Sequence, residues 1–263
     1  MPPPPPPRFF APPAPGRGSP LEAGRRITLS ASEAHHAAHV LRLRPGDAVE
    51  VFDGRGSAAD ARLETVERGE VVVRLEAVRR TPPPPAPALR LAFAVPKGKR
   101  LDWLLEKATE LGAARLAPVR FARSVAGPKS LSPRARRRWE ARCIAAAKQA
   151  LLPHLPVLEP VRPPAEALQA EGPGVFGDTG PAAGPLAGAL DALPPAHRVG
   201  TLHLYVGPEG GLSDEERRLL GRVGIVPVRL GRTVLRIETA AVALLAAAVA
   251  WRDARTDRSP NGN

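Results

Sequence analysis

Two loops in the last quarter of the chain contain the residues best suited to hold a small ligand. The first is Val206-Gly207-Pro208-Glu209-Gly210-Gly211, whose glycines let backbone amides approach a ligand closely. It lacks the Lys-Ser/Thr of a P-loop and the spacing of a dinucleotide fingerprint. Because Glu209 stands where an anion would bind, the loop suits a ligand that is uncharged or cationic there. A glycine-rich turn between a strand and a helix is also common without any ligand, so both interpretations stay open.

The second loop runs from Leu230 through Gly231 into a helix that begins near Arg236. Glu238 lies in the first turn of that helix, where a carboxylate interacts favourably with the positive end of the helix dipole. Arg236 is a cation at the same end, which is unfavourable for the same reason. We therefore interpret Arg236 as a residue that faces a substrate or a partner carboxylate.

Both loops follow predicted strands in the part of the chain beyond residue 88. Predicted strands cover 89–95, 115–119, 175–176, 202–206 and 226–230, and predicted helices cover 101–112, 133–151 and 238–251, with another opened by the capping box at 213–216. The closing helix is apolar on most sides, so we expect it to be largely buried. This alternation predicts an α/β domain with a mostly parallel sheet, in which ligands bind at the carboxyl ends of the strands.

The first 80 residues have a different pattern, typical of a small β-rich domain with one helix. Ser30 and Glu33 form a capping-box spacing, in which Ser30 accepts from the Glu33 amide and Glu33 reaches back. The helix runs to about Arg42, and strands follow at 48–52, 57–67 and 70–78, with a tight turn at Asp53-Gly54. We place a disordered proline-rich tail at 1–20, a first domain at 21–80, a stiff proline-rich linker at 81–88, a second domain at 89–252 and a disordered tail at 253–263.

The net charge of +12 over 263 residues is concentrated in one part of the chain. Residues 81–150 contain 15 basic and four acidic side chains, whereas the segments on either side are close to neutral. Such a local excess is what a polyanion-binding face needs, but it is also typical of a solvated helix face. The 43% hydrophobic and 24% charged residues exclude a wholly disordered or fibrous chain.

Several classes of protein are disfavoured. No uncharged apolar run is long enough to span a bilayer, and the N-terminus is polyproline where a signal peptide needs an apolar segment, so we expect a cytoplasmic protein with no membrane partner. The lone Cys143 excludes an internal disulfide and a cysteine zinc site. His35 and His39 have a metal-compatible spacing, but no third ligand is evident, so we expect no metal.

The two loops, read together, resemble a known signature. Val206 to Ser213 and Leu230 to Ala240 look like the signature of the SPOUT methyltransferases and, more narrowly, of the bacterial 16S ribosomal RNA uridine N3-methyltransferase family. Further matching segments, in order, are Glu33-Ala34-His35-His36, Val40-Leu41-Arg42, Phe52-Asp53-Gly54, Lys97-Gly98, Lys107 to Gly112, Arg123-Ser124 and Gln149. The resemblance covers roughly residues 20–251. The chain departs from the family pattern at Ala122, where an acidic residue is usual, and at Leu151 and Leu152, near a usual arginine.

The resemblance implies a PUA-like RNA-binding β-barrel at 21–80, followed by a SPOUT domain with a trefoil knot at 89–252. It implies a homodimer that uses S-adenosylmethionine to methylate N3 of a uridine in 16S rRNA of the small ribosomal subunit. The implied cofactor-binding residues are Phe176, Gly177, Asp178, Gly207, Glu209, Gly210, Leu230, Gly231, Val234, Leu235 and Arg236. Glu238 is the candidate base, and Arg236 is the candidate for contacting the uridine anion or its phosphate. The candidate RNA-binding residues are Arg42, Lys97, Lys99, Arg100 and Arg123.

Two alternatives stay open. One is a SPOUT enzyme that modifies another RNA or another atom, such as a ribose 2′-OH. The other is an RNA-binding assembly factor that kept the fold but lost turnover.

Overall fold

The structure is a computed structural model that describes residues 5–13, 21–67, 69–125, 127–167, 172–193 and 200–256. The chain divides into two compact units. The first unit contains the described residues up to Pro83 together with Ala147–Leu155, and the second contains the described residues of Pro84–Ala146 and those from Pro156 onward. Most of the two predicted tails lies outside the described residues. The predicted domain boundaries stay a prediction.

The first unit is built on a five-stranded sheet with the order β1-β3-β4-β5-β2. Its strands are β1 (Arg8–Phe10), β2 (Arg26–Thr28), β3 (Ala48–Phe52), β4 (Ser57–Glu67) and β5 (Glu70–Arg80). β1 pairs with β3 in parallel, and the other neighbours are antiparallel. Alternate residues of β5, namely Val71, Val73 and Leu75, are buried in the core, as the period of a strand requires. The predicted β-rich fold of this region is confirmed.

The predicted turn at Asp53-Gly54 joins β3 to β4. The Asp53 side chain is 2% exposed, and its Oδ1 accepts hydrogen bonds from the backbone N–H groups of Arg55 (2.7 Å) and Ser57 (3.0 Å). A carboxylate that bonds to the backbone a few residues ahead fixes a turn in this way.

The predicted helix begins as expected, at α1 (Ala31–His35), and continues as a π-helical turn over His36–Val40. Ser30 Oγ accepts from the Glu33 backbone N–H at 3.4 Å, which confirms one half of the predicted capping box. The other half is wrong. The Glu33 carboxylate accepts from Lys148 Nζ at 2.7 Å instead of reaching back, because a buried carboxylate is better stabilised by a cation than by an exposed amide.

Strand β1 differs from the prediction of a disordered tail over residues 1–20. Phe9 is completely buried, and the Arg8 guanidinium lies 4.2 Å from the centroid of the Phe52 ring. Arg8 also pairs with Glu50 at 2.5 Å and donates to the Ala147 carbonyl oxygen at 3.0 Å. Two adjacent aromatic residues and one buried arginine suffice to hold the segment, although the residues around it are mostly proline.

The second unit is built on a seven-stranded sheet with the order β10-β12-β9-β11-β6-β7-β8. Its strands are β6 (Ala88–Ala94), β7 (Arg115–Val119), β8 (Val157–Leu158), β9 (Gly174–Gly177), β10 (Gly184–Pro185), β11 (Thr201–Val206) and β12 (Ile225–Arg229), and its helices are α2 (Lys99–Glu110), α3 (Pro133–Gln149), α4 (Pro164–Ala167), α5 (Leu186–Asp191), α6 (Asp214–Arg222) and α7 (Ile237–Thr256). Every neighbouring pair of strands is parallel. The predicted α/β class with a parallel sheet is confirmed. The trefoil knot stays a prediction.

Helix α7 is buried along one face only, which is narrower than predicted. Ala241, Leu244, Leu245 and Ala248 have no exposed surface, whereas the residues between them are half-buried. Their spacing of three and four residues is that of one helical face. None of the described helices is long and apolar enough to cross a membrane.

Arg8 generates a test of the first unit. We expect Arg8→Ala to lower the free energy of unfolding by about 2 to 3 kcal/mol, because it removes a buried cation from Glu50, which among the described residues keeps only the half-exposed Arg79, and from the Phe52 ring. Arg26→Ala is the matched control, since Arg26 pairs with Glu64 on the surface, and it should cost less than about 1 kcal/mol. Urea unfolding of the three proteins gives the comparison, and equal losses would contradict the anchoring role of Arg8.

Candidate functional site

The carboxyl ends of five parallel strands lie at the same edge of the second sheet. Val206 of β11 is aligned with Gly177 of β9 and Phe93 of β6. Ala94 of β6 is aligned with Val119 of β7. Because parallel strands in register end at the same level, the loops that follow them lie together. This edge contains two neighbouring cavities.

The first cavity lies between the loops that follow β9, β11 and β12, and the start of α7 closes it. Its walls are mainly glycine backbone and apolar side chains, and they consist of Gly177, Asp178, Thr179, Val206, Gly207, Pro208, Glu209, Gly211, Leu212, Arg229, Leu230, Gly231, Thr233, Val234, Leu235, Ile237 and Ala240. Asp178, Glu209 and Arg229 are its only charged lining residues within the described chain, so its walls carry no cluster of cations for a phosphate.

The loop after β11 needs glycine at two places. A Cβ on Gly207 would lie 2.8 Å from Leu212 Cδ2, and Leu212 is only 3% exposed, so its side chain would have to shift. Gly211 has a φ of +70°, in the left-handed region that favours glycine. The loop ends at Ser213, whose side chain and Glu216 complete the predicted capping box of α6. The glycines are therefore required by the loop itself as well as by any ligand.

Asp178 is held in place at the end of β9. Its backbone N–H donates to the Val228 carbonyl at 2.9 Å, and its carboxylate forms an ion pair with Arg217 of α6. The Asp178 side chain is 9% exposed. The cavity therefore has a fixed carboxylate at this wall whose charge is already compensated.

The second cavity lies beside the first, and the two share Pro208, Glu209 and Ile237. It lies between the loops after β6, β7 and β11, and its full lining is Ala94, Val95, Pro96, Lys97, Arg100, Ser124, Val125, Pro208, Glu209 and Ile237.

Arg100, in the first turn of α2, lies between two carboxylates at this cavity. Its Nη1 donates to Glu209 Oε1 at 3.0 Å and lies 3.9 Å from Glu238 Oε2. The Glu238 side chain is 10% exposed, and its Oε2 has no hydrogen-bond partner within the described residues. A buried carboxylate oxygen without a hydrogen bond is costly and needs a reason.

Glu216 fixes the turn that follows β7. Its Oε1 accepts from the Ala122 backbone N–H at 2.7 Å, and its Oε2 accepts from the Ser213 backbone N–H at 2.8 Å. Arg123, next in the turn, donates from Nη1 to the Gly210 carbonyl oxygen at 3.1 Å. One buried side chain thus connects the loop after β7 to the loop after β11. Ala122, which departs from the family pattern, takes part through its backbone.

The structure brings most of the predicted cofactor residues to the first cavity. Those on its walls are Gly177, Asp178, Gly207, Glu209, Leu230, Gly231, Val234 and Leu235. Three others lie elsewhere. Phe176 is buried within the sheet, Gly210 faces the Arg123 side chain, and the Arg236 side chain is exposed to solvent. Their roles in binding stay predictions.

Sequence reasoning missed several lining residues. Thr179 and Arg229 are direct neighbours of predicted residues, and Ile237 and Ala240 lie three positions apart on one helical face. These could have been found by extending each segment by one turn. The sequence predicts Glu216 only as part of a cap, and no sequence signal indicates its bond to Ala122, 94 residues away.

The predicted RNA-binding residues occupy different positions. Lys97 and Arg100 line the second cavity, Lys99 is exposed at the start of α2, and Arg123 contacts the loop after β11. Arg42 is exposed in the first unit and has a φ of 54°, which is uncommon for a residue other than glycine.

Ion pairs neutralise part of the basic excess of residues 81–150. Arg138 and Arg142 both lie near Asp102, at 2.7 and 3.6 Å, and Arg90 is buried against Glu159. Within the described chain, the cations of this segment that form no ion pair are Lys97, Lys99, Arg120, Arg123, Lys129, Arg134 and Arg137. All seven are exposed, so these side chains are the ones available to a polyanion.

Comparison with known proteins gives consistent results for both units. A family model described as an RNA methyltransferase domain matches residues 83–249, and one described as an RNA methyltransferase PUA domain matches residues 29–76. Ribosomal RNA small subunit methyltransferase E of Mycobacterium bovis is 34% identical over 233 residues, covering 86% of this chain and 87% of that protein. The protein of the same name from Synechocystis sp. is 32% identical over 230 residues, covering 84% of this chain and 71% of that protein.

Solved structures with the same fold include two with a bound cofactor. Ribosomal RNA small subunit methyltransferase E from Neisseria gonorrhoeae, bound to S-adenosylmethionine, has a TM-score of 0.74 and 29% identity, with 92% of this chain and 95% of that chain covered. A Legionella pneumophila protein in complex with the same cofactor has a TM-score of 0.79 and 26% identity, with 93% and 97% covered.

Glu216 generates a test of how the site is assembled. We expect Glu216→Ala to lower the free energy of unfolding by about 2 kcal/mol more than Glu215→Ala, because only Glu216 bonds to two backbone N–H groups. Glu215 is the matched control, since it is exposed in the same helical turn and interacts with the same dipole. Urea unfolding measures both, and equal losses would mean that Glu216 acts only as a first-turn charge.

Proposed function

Because the chain belongs to the RNA methyltransferase family that includes the ribosomal RNA small subunit methyltransferases E, we propose that it methylates N3 of a uridine in 16S rRNA with S-adenosylmethionine as the methyl donor. The observation that carries the proposal is the pair of adjacent cavities at the carboxyl edge of the parallel sheet. One is suited to a small cationic cofactor, and the other is lined by Arg100, which lies 3.9 Å from a buried Glu238 oxygen that makes no hydrogen bond within the described chain.

The first cavity fits S-adenosylmethionine. Leu230, Leu235 and Ile237 would supply apolar surface to the bound cofactor, and the glycine backbone of the loops would supply hydrogen-bonding groups. Asp178 and Glu209 are already paired with Arg217 and Arg100, and no cation cluster is present among the described lining residues to repel the positive charge of the cofactor. The bound cofactor supplies a methyl group on a sulfonium, which is a good leaving group. The relatives solved with this cofactor support the assignment.

Glu238 is the proposed general base. Uracil N3 carries a proton that must leave before or as the nitrogen bonds to the methyl carbon and the carbon–sulfur bond breaks. Glu238 Oε2 is free to accept that proton, since it makes no hydrogen bond within the described chain. Arg100 at 3.9 Å and the amino end of α7 stabilise the carboxylate before it takes up the proton.

Arg236 is proposed to contact the uridine anion or its phosphate. Its side chain is exposed where α7 begins, while its backbone carbonyl oxygen accepts from the Ala240 N–H at 2.8 Å. The backbone of Arg236 is therefore fixed by the helix, and its guanidinium is left to reach a ligand. Mutation should affect the substrate more than the fold.

The RNA-binding surface is proposed to include the PUA-like unit as well as the catalytic one. Arg42 contributes from the first unit, and Lys97, Lys99, Arg100 and Arg123 contribute from the second. A base inside folded RNA has to leave its stack before N3 is accessible, so we infer recognition of a looped or flipped-out uridine. A non-catalytic assembly factor would have no use for a buried carboxylate oxygen that makes no hydrogen bond within the described chain, which favours the enzyme.

The homodimer is proposed from the family resemblance. Helix α2 packs against α7. One apolar side of α7 is only half-buried, and Trp103 of α2 is 41% exposed, so these two helices offer an apolar surface for the interface. Multi-angle light scattering distinguishes a dimer of twice 27.8 kDa from a monomer.

Nucleoside mass spectrometry tests the function directly. We expect 16S rRNA from a strain that lacks this protein to lose one 3-methyluridine and to regain it when the gene is restored. Calorimetry with S-adenosylmethionine should show binding in the low to middle micromolar range. If 3-methyluridine persists unchanged in the deleted strain, the proposed reaction is wrong. If no heat appears at high micromolar cofactor, the cofactor assignment is wrong as well.

Arg236→Ala gives a second, residue-level test. We expect loss of methylation by at least about a hundredfold with no change in the unfolding midpoint, because Arg236 is exposed and contacts the fold through its backbone. Arg232→Ala is the control, since Arg232 is an exposed arginine in the same loop. Full activity of Arg236→Ala would remove this residue from the site.

A further inference from the structure

The proposed function uses the position of the second cavity beside the cofactor site, but it does not say which chemical group binds in that cavity. Its apolar walls are formed by Val95, Pro96, Pro208 and Ile237. Such walls suit a flat, weakly polar ring, whereas the exposed Lys97 at the same cavity suits the phosphate that such a ring would carry in a nucleic acid.

Two buried polar atoms near this cavity make no hydrogen bond with the residues that the structure describes. Ser124 Oγ and Glu238 Oε2 are buried, and neither has a hydrogen-bond partner within the described residues. Ser124 lines the cavity directly, and Glu238 is connected to it through Arg100. Each unpaired buried polar atom has an energetic cost, so two of them beside one cavity indicate a polar ligand that pairs with both.

The hydrogen-bonding character of three side chains matches one pyrimidine. The Arg100 guanidinium can only donate, the Glu238 carboxylate can only accept, and the Ser124 hydroxyl can donate. Uracil presents a carbonyl, an N–H and a second carbonyl along its N3 edge, which needs a donor, an acceptor and a donor. Cytosine presents an amino group and an unprotonated N3, so it would place a donor against a donor and a lone pair against a carboxylate.

We propose that the second cavity binds the target base as uracil, with Arg100 and Ser124 donating to the carbonyl oxygens on either side of N3. This inference rests on the proposed function and deepens it. Arg100 is then a specificity-determining residue that contacts the base, instead of one of several phosphate contacts. Its contacts with Glu209 and Glu238 both use Nη1, so the other nitrogens of the fork can reach a carbonyl.

Salt dependence separates a base contact from a phosphate contact. Full-length Arg100→Ala, Ser124→Ala and Lys99→Ala are compared with the unmodified chain on small ribosomal subunits from the deleted strain. Loss of a phosphate contact reduces the steepness of the fall of log affinity with log salt by about 1, and we expect this for Lys99→Ala only. At saturating subunits we expect the single-turnover methylation rate to fall at least about a hundredfold in Arg100→Ala and about tenfold in Ser124→Ala.

Two further variants and one further measurement guard against a purely structural effect. Ser124→Thr keeps the hydroxyl and should recover most of the rate that Ser124→Ala loses. Arg100→Lys keeps the charge beside Glu209 but not the fork, so its rate should stay low. Calorimetry should give S-adenosylmethionine affinities within about twofold of the unmodified chain for every variant. Thermal unfolding reports whether each variant is folded. If the Arg100 variants are not folded, the comparison of Ser124→Ala with Ser124→Thr tests the inference.

Several results would overturn the inference. Arg100 would be a phosphate contact if Arg100→Ala reduced the steepness of the fall of log affinity with log salt by about 1 while it kept the rate at saturation. A loss of cofactor affinity in Arg100→Ala would mean that Arg100 serves only to hold the loop that carries Glu209. Equal rates for Ser124→Ala and the unmodified chain would mean that Ser124 does not contact the base. If the unmodified chain forms no 3-methyluridine at all, the proposed function itself has failed, which is a different outcome.

Discussion

Parallel pairing between β6, β7, β9, β11 and β12 is the constraint on which the candidate site depends. Because the strands run in one direction and end level, five loops from widely separated parts of the chain meet at one edge of the sheet. Both cavities consist of these loops and of the helix ends beside them. The sheet thus decides where ligands bind, whereas the loops decide which ligands bind.

Two buried glutamates at this edge have opposite environments. Glu216 accepts two backbone N–H groups and is fully engaged in connecting two loops, so its role is structural. Within the part of the chain that the structure describes, Glu238 has an oxygen that makes no hydrogen bond and lies 3.9 Å from Arg100. A fold tolerates such an oxygen when a ligand completes its bonding, and this difference is why we propose Glu238, and not Glu216, as the base.

The basic excess has a more specific meaning in the structure than in the sequence. Arg90, Arg138 and Arg142 belong to it, yet they are used in ion pairs. The charge that remains accessible is carried by a few exposed lysines and arginines, some of which lie beside the second cavity. Net charge indicated a polyanion, and only the pairing of individual side chains determined which residues are available to bind it.

Local sequence was sufficient for the longer elements and for the glycine-rich loops, whereas β1 lies in the predicted tail and the short elements β2, β8, β10, α4 and α5 lie outside the predicted ones. The longer strands and helices follow from hydrophobic period, the cap at Ser213 from a four-residue spacing, and the turn at Asp53 from a dipeptide, because each depends on residues that are near in sequence. Contacts between distant residues were decided by tertiary structure. The bond of Glu216 to Ala122, the position of Arg100 between Glu209 and Glu238, and the burial of Arg8 against Phe52 each join segments tens of residues apart. Such pairs leave no periodic trace in the sequence, since only the packed sheet brings them within hydrogen-bonding distance.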